Sequence, residues 1–162
     1  MHADTGAFIR LVKHPFKFPL FLLAKIPSAF FSGVRIREIS QEACTVAVPY
    51  KWFSQNPFRS TYFACLAMAG ELSTGALVMA HTYKSRPSVS ILVTGMEASF
   101  HKKATGPTYF VCADGLQIRE AIAAAAASGQ AGKITAVSTG RNTAGETVAE
   151  FRVTWSFKAR AV

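Results

Sequence analysis

Near the end of the chain Phe151, Val153, Trp155 and Phe157 alternate strictly with Arg152, Thr154, Ser156 and Lys158. That period of two marks a strand with one buried face. Cys44, Val46, Val48 and Tyr50 alternate in the same way with Thr45, Ala47 and Pro49. Val34 and Ile36 show the period just before, across Ser40-Gln41-Glu42, so the pair is predicted to form a hairpin. Strand-like pattern runs from Ser88 to Lys103, breaks at Thr105-Gly106-Pro107 and resumes from Tyr109 to Ala113. Ile134 to Thr139 forms a further strand, joined to the last by a turn at Asn142-Thr143-Ala144-Gly145.

Tyr62 to Ala80 has no such alternation. It is rich in Ala, Leu and Met and apolar nearly all round, which implies a helix buried on most sides. Ala64, Ala67, Ala69, Gly70 and Gly75 let neighbours come close. Asn56-Pro57 forms a turn before it, and Ser60 or Thr61 supplies the cap, so the helix is predicted from about Ser60 to Ala80. Another helix is predicted over Leu116 to Ser128, opened by Asp114-Gly115 and ended by Gly129. Residues 1–32 read as one or two short helices broken by Pro15, Pro19 and Pro27. The order is hairpin, buried helix, then four more strands. That predicts an α+β fold, a curved antiparallel sheet of five to six strands around one long helix. The expected division is an N-terminal helical extension over 1–32 and a sheet-and-helix domain over 33–162.

A length of 162 residues suits one domain, and the half that is hydrophobic supports a sizeable core. The net charge of +9 is spread along the chain, densest at His101-Lys102-Lys103. Such an excess suits nucleic acid, an anionic membrane surface or a phosphorylated ligand. Without a zinc-finger, RNP-like or P-loop signature, no nucleic-acid partner is expected. Cys44, Cys65 and Cys112 are far apart in apolar stretches, consistent with buried reduced thiols in a cytoplasmic protein. No ligand spacing predicts a metal. Phe8 to Phe31 is apolar but interrupted by Lys13, Lys17 and Lys25, so it is read neither as a leader nor as a membrane span. Its Lys and Phe residues suit peripheral membrane contact. Tyr62 to Ala80 carries Glu71 at its middle, which favours a core helix over a span.

Asn56 through Gly75 resembles the helix motif of hotdog-fold acyl-CoA thioesterases. Asn56 and Glu71 match the two ends of the motif in the phenylacetyl-CoA-thioesterase-like branch, while Tyr62, Phe63 and Ala64 stand where that branch has His-Gly-Gly. Met96 to Gly106 is similar to the third strand and its turn, and Ala144 to Lys158 to the closing hairpin. The Pro- and Phe-rich N-terminus and Glu71-Leu72-Ser73-Thr74-Gly75 look more like an uncharacterised bacterial branch of the superfamily, a domain of unknown function. The resemblance covers residues 33–160. It implies a hotdog fold, an acyl-CoA or other acyl thioester as substrate, and sites formed between paired protomers of a homodimer or tetramer. It implies no cofactor beyond the coenzyme A of the substrate.

Thioester hydrolysis needs a donor for the carbonyl oxygen, a base or nucleophile, and room for the leaving group. The amide of Phe63 or its neighbour Tyr62, at a helix start, is the candidate oxyanion donor. Glu71 is either the general base or nucleophile, or a partnered structural carboxylate. Phe63 and Glu71 are eight residues apart, about 12 Å along one helix, so a shared site takes one from each of two subunits. Asn56 either orients water or the carbonyl, or only forms the turn. Thr74 or Gly75 is expected to hold the water, with Ser88 and Ser90 as further candidates. Lys102 and Lys103 are expected at the coenzyme A phosphates, unless they are an ordinary strand end; Lys133 and Arg141 are fainter candidates. His14, His81 and His101 lack triad spacing and no Gly-x-Ser-x-Gly occurs, which sets a serine hydrolase aside. The alternative function is a hotdog module without hydrolysis, holding an acyl chain or a protein partner.

Overall fold

A computed structural model describes residues 3–159. The expected outer boundaries at residues 1 and 162 lie outside them. Three N-terminal helices come first, α1 (Thr5–Lys13), α2 (Lys17–Lys25) and α3 (Pro27–Phe31). The hairpin β1 (Arg35–Ile39) and β2 (Cys44–Val48) leads through a short 3-10 turn to the long helix α4 (Phe63–Thr82). Then come β3 (Val89–Phe100), β4 (Thr108–Cys112), helix α5 (Gly115–Ser128), β5 (Gly132–Asn142) and β6 (Thr147–Ala159).

The six strands form one antiparallel sheet in the order β1-β2-β4-β5-β6-β3. The α4 connection therefore carries the chain from β2 to the far edge of the sheet. Along β6 the alternation places Phe151, Val153, Trp155 and Phe157 inside, while Arg152 and Lys158 face out. Those rings meet α4 at its small residues. A Cβ at Gly70 would lie 2.6 Å from Phe151 Cδ2, so only glycine fits under that ring. Gly70→Ala should destabilise the protein by about 1–3 kcal/mol through overpacking, partly offset by helix propensity. A thermal melt checks this, and an unchanged Tm would mean that Phe151 has room to move.

The N-terminus contains three helices rather than one or two, because breaks fall at Pro15 and just before Pro27, while Pro19 is accommodated inside a helix. Pro19 is the third residue of α2 and Pro27 the first of α3, positions whose N–H has no helical acceptor. Asp4 caps α1 by accepting from the Ala7 amide at 3.0 Å, and its own amide donates to the Tyr83 carbonyl just past α4. Phe8, Val12, Phe18, Leu22 and Ala29 from these helices are buried in the same core as the sheet. At the other end of the core, Gly115 lets the β1–β2 turn sit on the start of α5. Its amide donates to the Glu42 carbonyl, and a Cβ there would fall 2.2 Å from the Gln41 carbonyl oxygen.

One strand departs from the usual half-buried pattern. β3 pairs with β6 on one side only, and from Leu92 to Phe100 every residue is exposed. Leu92, Val93, Met96 and Phe100 are open apolar side chains on a twelve-residue edge. A long apolar edge of this kind, interrupted by one register shift between Val93 and Gly95, is a template for pairing with another strand.

Candidate functional site

The start of α4 is fixed by long-range bonds rather than by a side-chain cap. Helix geometry begins at Phe63, after Tyr62, and not at Ser60. The Ser60 hydroxyl instead donates to Asn56 Oδ1 (3.2 Å), and the Thr61 hydroxyl donates to the Ala104 carbonyl (3.2 Å). The Thr61 amide also donates to Ala104 O, and the Tyr62 amide donates to Ser54 O at 2.7 Å. This last bond corrects one expectation, because the Tyr62 N–H is committed and cannot serve as an oxyanion donor. Among the described residues, the next two amides, of Phe63 and Ala64, donate to no protein acceptor. They sit at the positive end of a twenty-residue helix, which favours a negatively charged oxygen there.

Asn56 holds the turn in front of this helix. Its Oδ1 accepts from the Phe58 and Ser60 amides and from the Ser60 hydroxyl. Only its carboxamide N–H groups remain for a ligand. A groove of about 620 Å³ opens here, lined by Asn56, Phe58, Tyr62, Phe63, Leu66 and Phe100 and continuing along His101, Lys102 and Lys103. The groove is apolar at the helix and basic at its outer end. The Tyr62 and Phe63 rings, 4.9 Å apart, are both exposed. Lys102 also pairs with Glu146 on the surface, and that contact and the Asn142 amide hold the Glu146 carboxyl below its usual range. Lys103 is exposed and has no ion-pair partner among the described residues.

Glu71 lies two turns further along α4. It is half-buried, and among the described residues no hydrogen bond or ion pair reaches its carboxylate. Desolvation by burial pushes its pKa up. Gly75 makes room for it: a Cβ there would lie 3.1 Å from Glu71 Oε1 and 3.2 Å from the Trp155 ring. Thr74 does not hold water as expected. It is fully buried, donates to the Glu71 carbonyl (2.9 Å) and accepts from Trp155 Nε1–H (3.0 Å), so it ties the helix to β6. Trp155 in turn stands in register with Val93 on the open edge strand.

The expected residues thus fall into two groups. Asn56, Phe63, Lys102 and Lys103 share the groove, whereas Glu71 and Gly75 lie against Trp155. Arg141 is occupied at the β5–β6 turn, donating to Gly145 O and Thr147 Oγ1, and Lys133, Ser88 and Ser90 do not line the groove. Sequence reading missed a buried polar tie between α4 and β5. Ser73 Oγ donates to Gly70 O, so the 2.7 Å contact between hydroxyls has Ser138 donating to Ser73. Its only local signal is Ser138 at an inward position of its strand. Among the described residues no three His, Cys, Asp or Glu side chains converge as metal ligands. Cys44 and Cys112 face each other across β2 and β4, and burial pushes both thiols up to about 12, so they are inert packing groups.

Structures with this architecture come from distant proteins. A protein of unknown function from Pseudomonas aeruginosa, described as a probable thioesterase, is 21% identical, with a TM-score of 0.77 over 91% of this chain and 97% of that one. A protein of unknown function from Chlorobaculum tepidum is 14% identical, with a TM-score of 0.76 over 89% and 93%. A thioesterase from Haemophilus influenzae is 12% identical, with a TM-score of 0.58 over 86% and 88%. At such identities the likeness establishes the fold alone, and it is the hotdog fold that the resemblance implied. No curated protein sequence matches the chain. The model of one family covers residues 18–157, and the chain therefore belongs to that family, the domain of unknown function DUF4442.

Proposed function

We propose that the protein hydrolyses an acyl thioester, with an acyl-CoA as substrate, at a site shared by two copies. The observation that carries this reading is Glu71, the acidic residue of α4, half-buried and without a partner among the described residues. Desolvation raises its proton affinity above that of an ordinary carboxylate, which makes it a stronger base. Glu71 takes a proton from water, and the resulting hydroxide attacks the thioester carbonyl carbon. The amides of Phe63 and Ala64 of the partner subunit hold the oxyanion. Collapse breaks the C–S bond, and the proton on Glu71 passes to the departing thiolate, leaving a carboxylic acid and free coenzyme A. The Asn56 carboxamide donates to the substrate carbonyl or the water. Coenzyme A enters as part of the substrate and leaves as a free product, and no other cofactor is needed.

The open β3 edge supports the pairing. Two copies of that edge can hydrogen-bond antiparallel about a two-fold axis, covering Leu92, Val93 and Met96. Lys102 and Lys103 lie at the basic end of the groove, suited to the coenzyme A phosphates. Changing both to Ala should raise KM for acyl-CoA by about tenfold with kcat nearly unchanged, the mark of lost uniform binding. An unchanged KM would return them to ordinary surface.

The direct test is release of free thiol across acyl-CoAs of several chain lengths and an aromatic acyl group. Turnover on at least one class at a kcat/KM of about 10⁴ M⁻¹s⁻¹ or more is expected. One observation favours a second reading, a hotdog module that binds without hydrolysis. The Tyr62 and Phe63 rings stand at the groove where the related thioesterase motif has His-Gly-Gly. No thiol release on any substrate, with acyl-CoA still bound, would select it.

A further inference from the structure

From residue 5 to residue 37 the chain has Arg10, Lys13, Lys17, Lys25, Arg35 and Arg37 and no Asp or Glu. Helix α2, in the middle of this stretch, is apolar on two sides. Phe18 and Leu22 enter the core, while Phe16, Leu20, Leu23 and Ala24, at i, i+4, i+7 and i+8, form an exposed face. Phe16 is 72% exposed and Leu20 63%. An apolar helix face left open beside a core-packed one is suited to a further partner.

Beside it runs a basic groove of about 270 Å³, lined by Lys13, His14, Pro15 and Phe18 with Arg35 and Arg37 from β1. Arg35 is held in place, donating to the Phe30 and Val34 carbonyls and lying over the Phe30 ring. Among the described residues, neither arginine nor Lys13 has an ion-pair partner. The His14 ring accepts the Phe16 and Lys17 amides through Nδ1, which leaves Nε2–H as a donor.

We propose that this face docks on an anionic phospholipid surface. Phe16, Leu20 and Leu23 enter the boundary between headgroups and acyl chains, while Lys13, Arg35 and Arg37 take the headgroup phosphates. Charge and apolar area together select this occupant. A free phosphate accounts for the groove but leaves the apolar face bare. A second copy would bring two cationic clusters together at a two-fold contact. The face lies on the β1 side of the sheet, opposite the β3 edge, so pairing at β3 leaves it free.

The test is co-sedimentation of the full chain with phosphatidylcholine vesicles, with and without about 30% phosphatidylglycerol. Binding should require the anionic lipid and fall by about tenfold or more between about 0.1 M and 0.5 M salt. The double variants Phe16→Ser with Leu20→Ser, and Lys13→Glu with Arg37→Glu, should each weaken it at least about tenfold, given about fivefold per basic side chain. All four side chains are exposed, so circular dichroism and melting should match wild type. Three results would overturn the proposal. One is no binding to anionic vesicles, and another is binding that neither double variant weakens. The third is a loss of oligomer mass by light scattering in the Phe16 and Leu20 variant, which would show that a second copy covers the face.

Discussion

Replacing Glu71 by Gln should lower thioester turnover by about 100-fold or more while making the protein more stable above about pH 5. The two effects have one cause. Glu71 is half-buried on α4 with no countercharge among the described residues, and desolvation raises its pKa above the ordinary 4.5. Between 4.5 and the raised value the folded chain holds more protons than the unfolded one. Stability from this group is therefore full below 4.5 and is lost as pH rises through the folded pKa. Gln is neutral at every pH and costs less to bury, even where its amide lacks a partner. The difference in Tm between variant and wild type should be near zero at pH 4, open as pH rises and then level off. Each kcal/mol gained is worth about 2–4 °C in a chain of this size. Buried His81 has its pKa lowered, mainly by desolvation, so its contribution is lost as pH falls below 6.5. Both proteins share it and it cancels. A structural Glu71 would show the reverse pattern: Gln would lower Tm, and activity would fall only with the folded fraction. A folded, fully active Gln variant would exclude Glu71 as the base.

The parts of the fold legible in the sequence are those set by local period. β6 alternates because one face meets α4, and α4 is apolar all round because the sheet and the N-terminal helices enclose it. What escaped depends on partners far away in sequence. Ser60 and Thr61 look like caps, but Thr61 bonds to Ala104, 43 residues on, and the helix starts later. Thr74 looks like a water holder one turn past Glu71, but the Trp155 indole, 81 residues on, occupies its hydroxyl. Tyr62 and Phe63 are equivalent in sequence as amide donors, and the bond from Tyr62 to Ser54 separates them. β3 reads as an ordinary apolar strand, because local pattern does not reveal whether a strand lies at a sheet edge. The spacing of Phe63 and Glu71 was legible, since helix geometry alone converts it to a distance.

That spacing leads to the second large effect, a rescue experiment between two inactive chains. Phe63 is the first residue of α4, where proline is tolerated and where its missing N–H removes one of the two proposed oxyanion donors without breaking a helical hydrogen bond. Tyr62 before it is already extended (φ −61°, ψ 134°), the conformation that a following proline demands. Phe63→Pro should therefore fold and yet lose about 100- to 1000-fold in kcat. Phe63→Ala, which keeps the amide and loses the ring, separates the two contributions and should retain most of the rate. Phe63→Pro and Glu71→Gln chains are then mixed in equal amounts and allowed to exchange subunits. If each site takes Glu71 from one chain and the amide from the other, a mixed dimer has one intact site and one doubly broken site. Half of the dimers are mixed, so the mixture should recover about a quarter of the wild-type rate. If both groups serve a site within one chain, every site in the mixture has one defect and no activity returns. A Met96→Lys change in the exposed β3 edge should abolish the rescue by blocking pairing, and light scattering should then find monomers. Recovery from monomeric chains, or no recovery from exchanging dimers, would rule out the shared site.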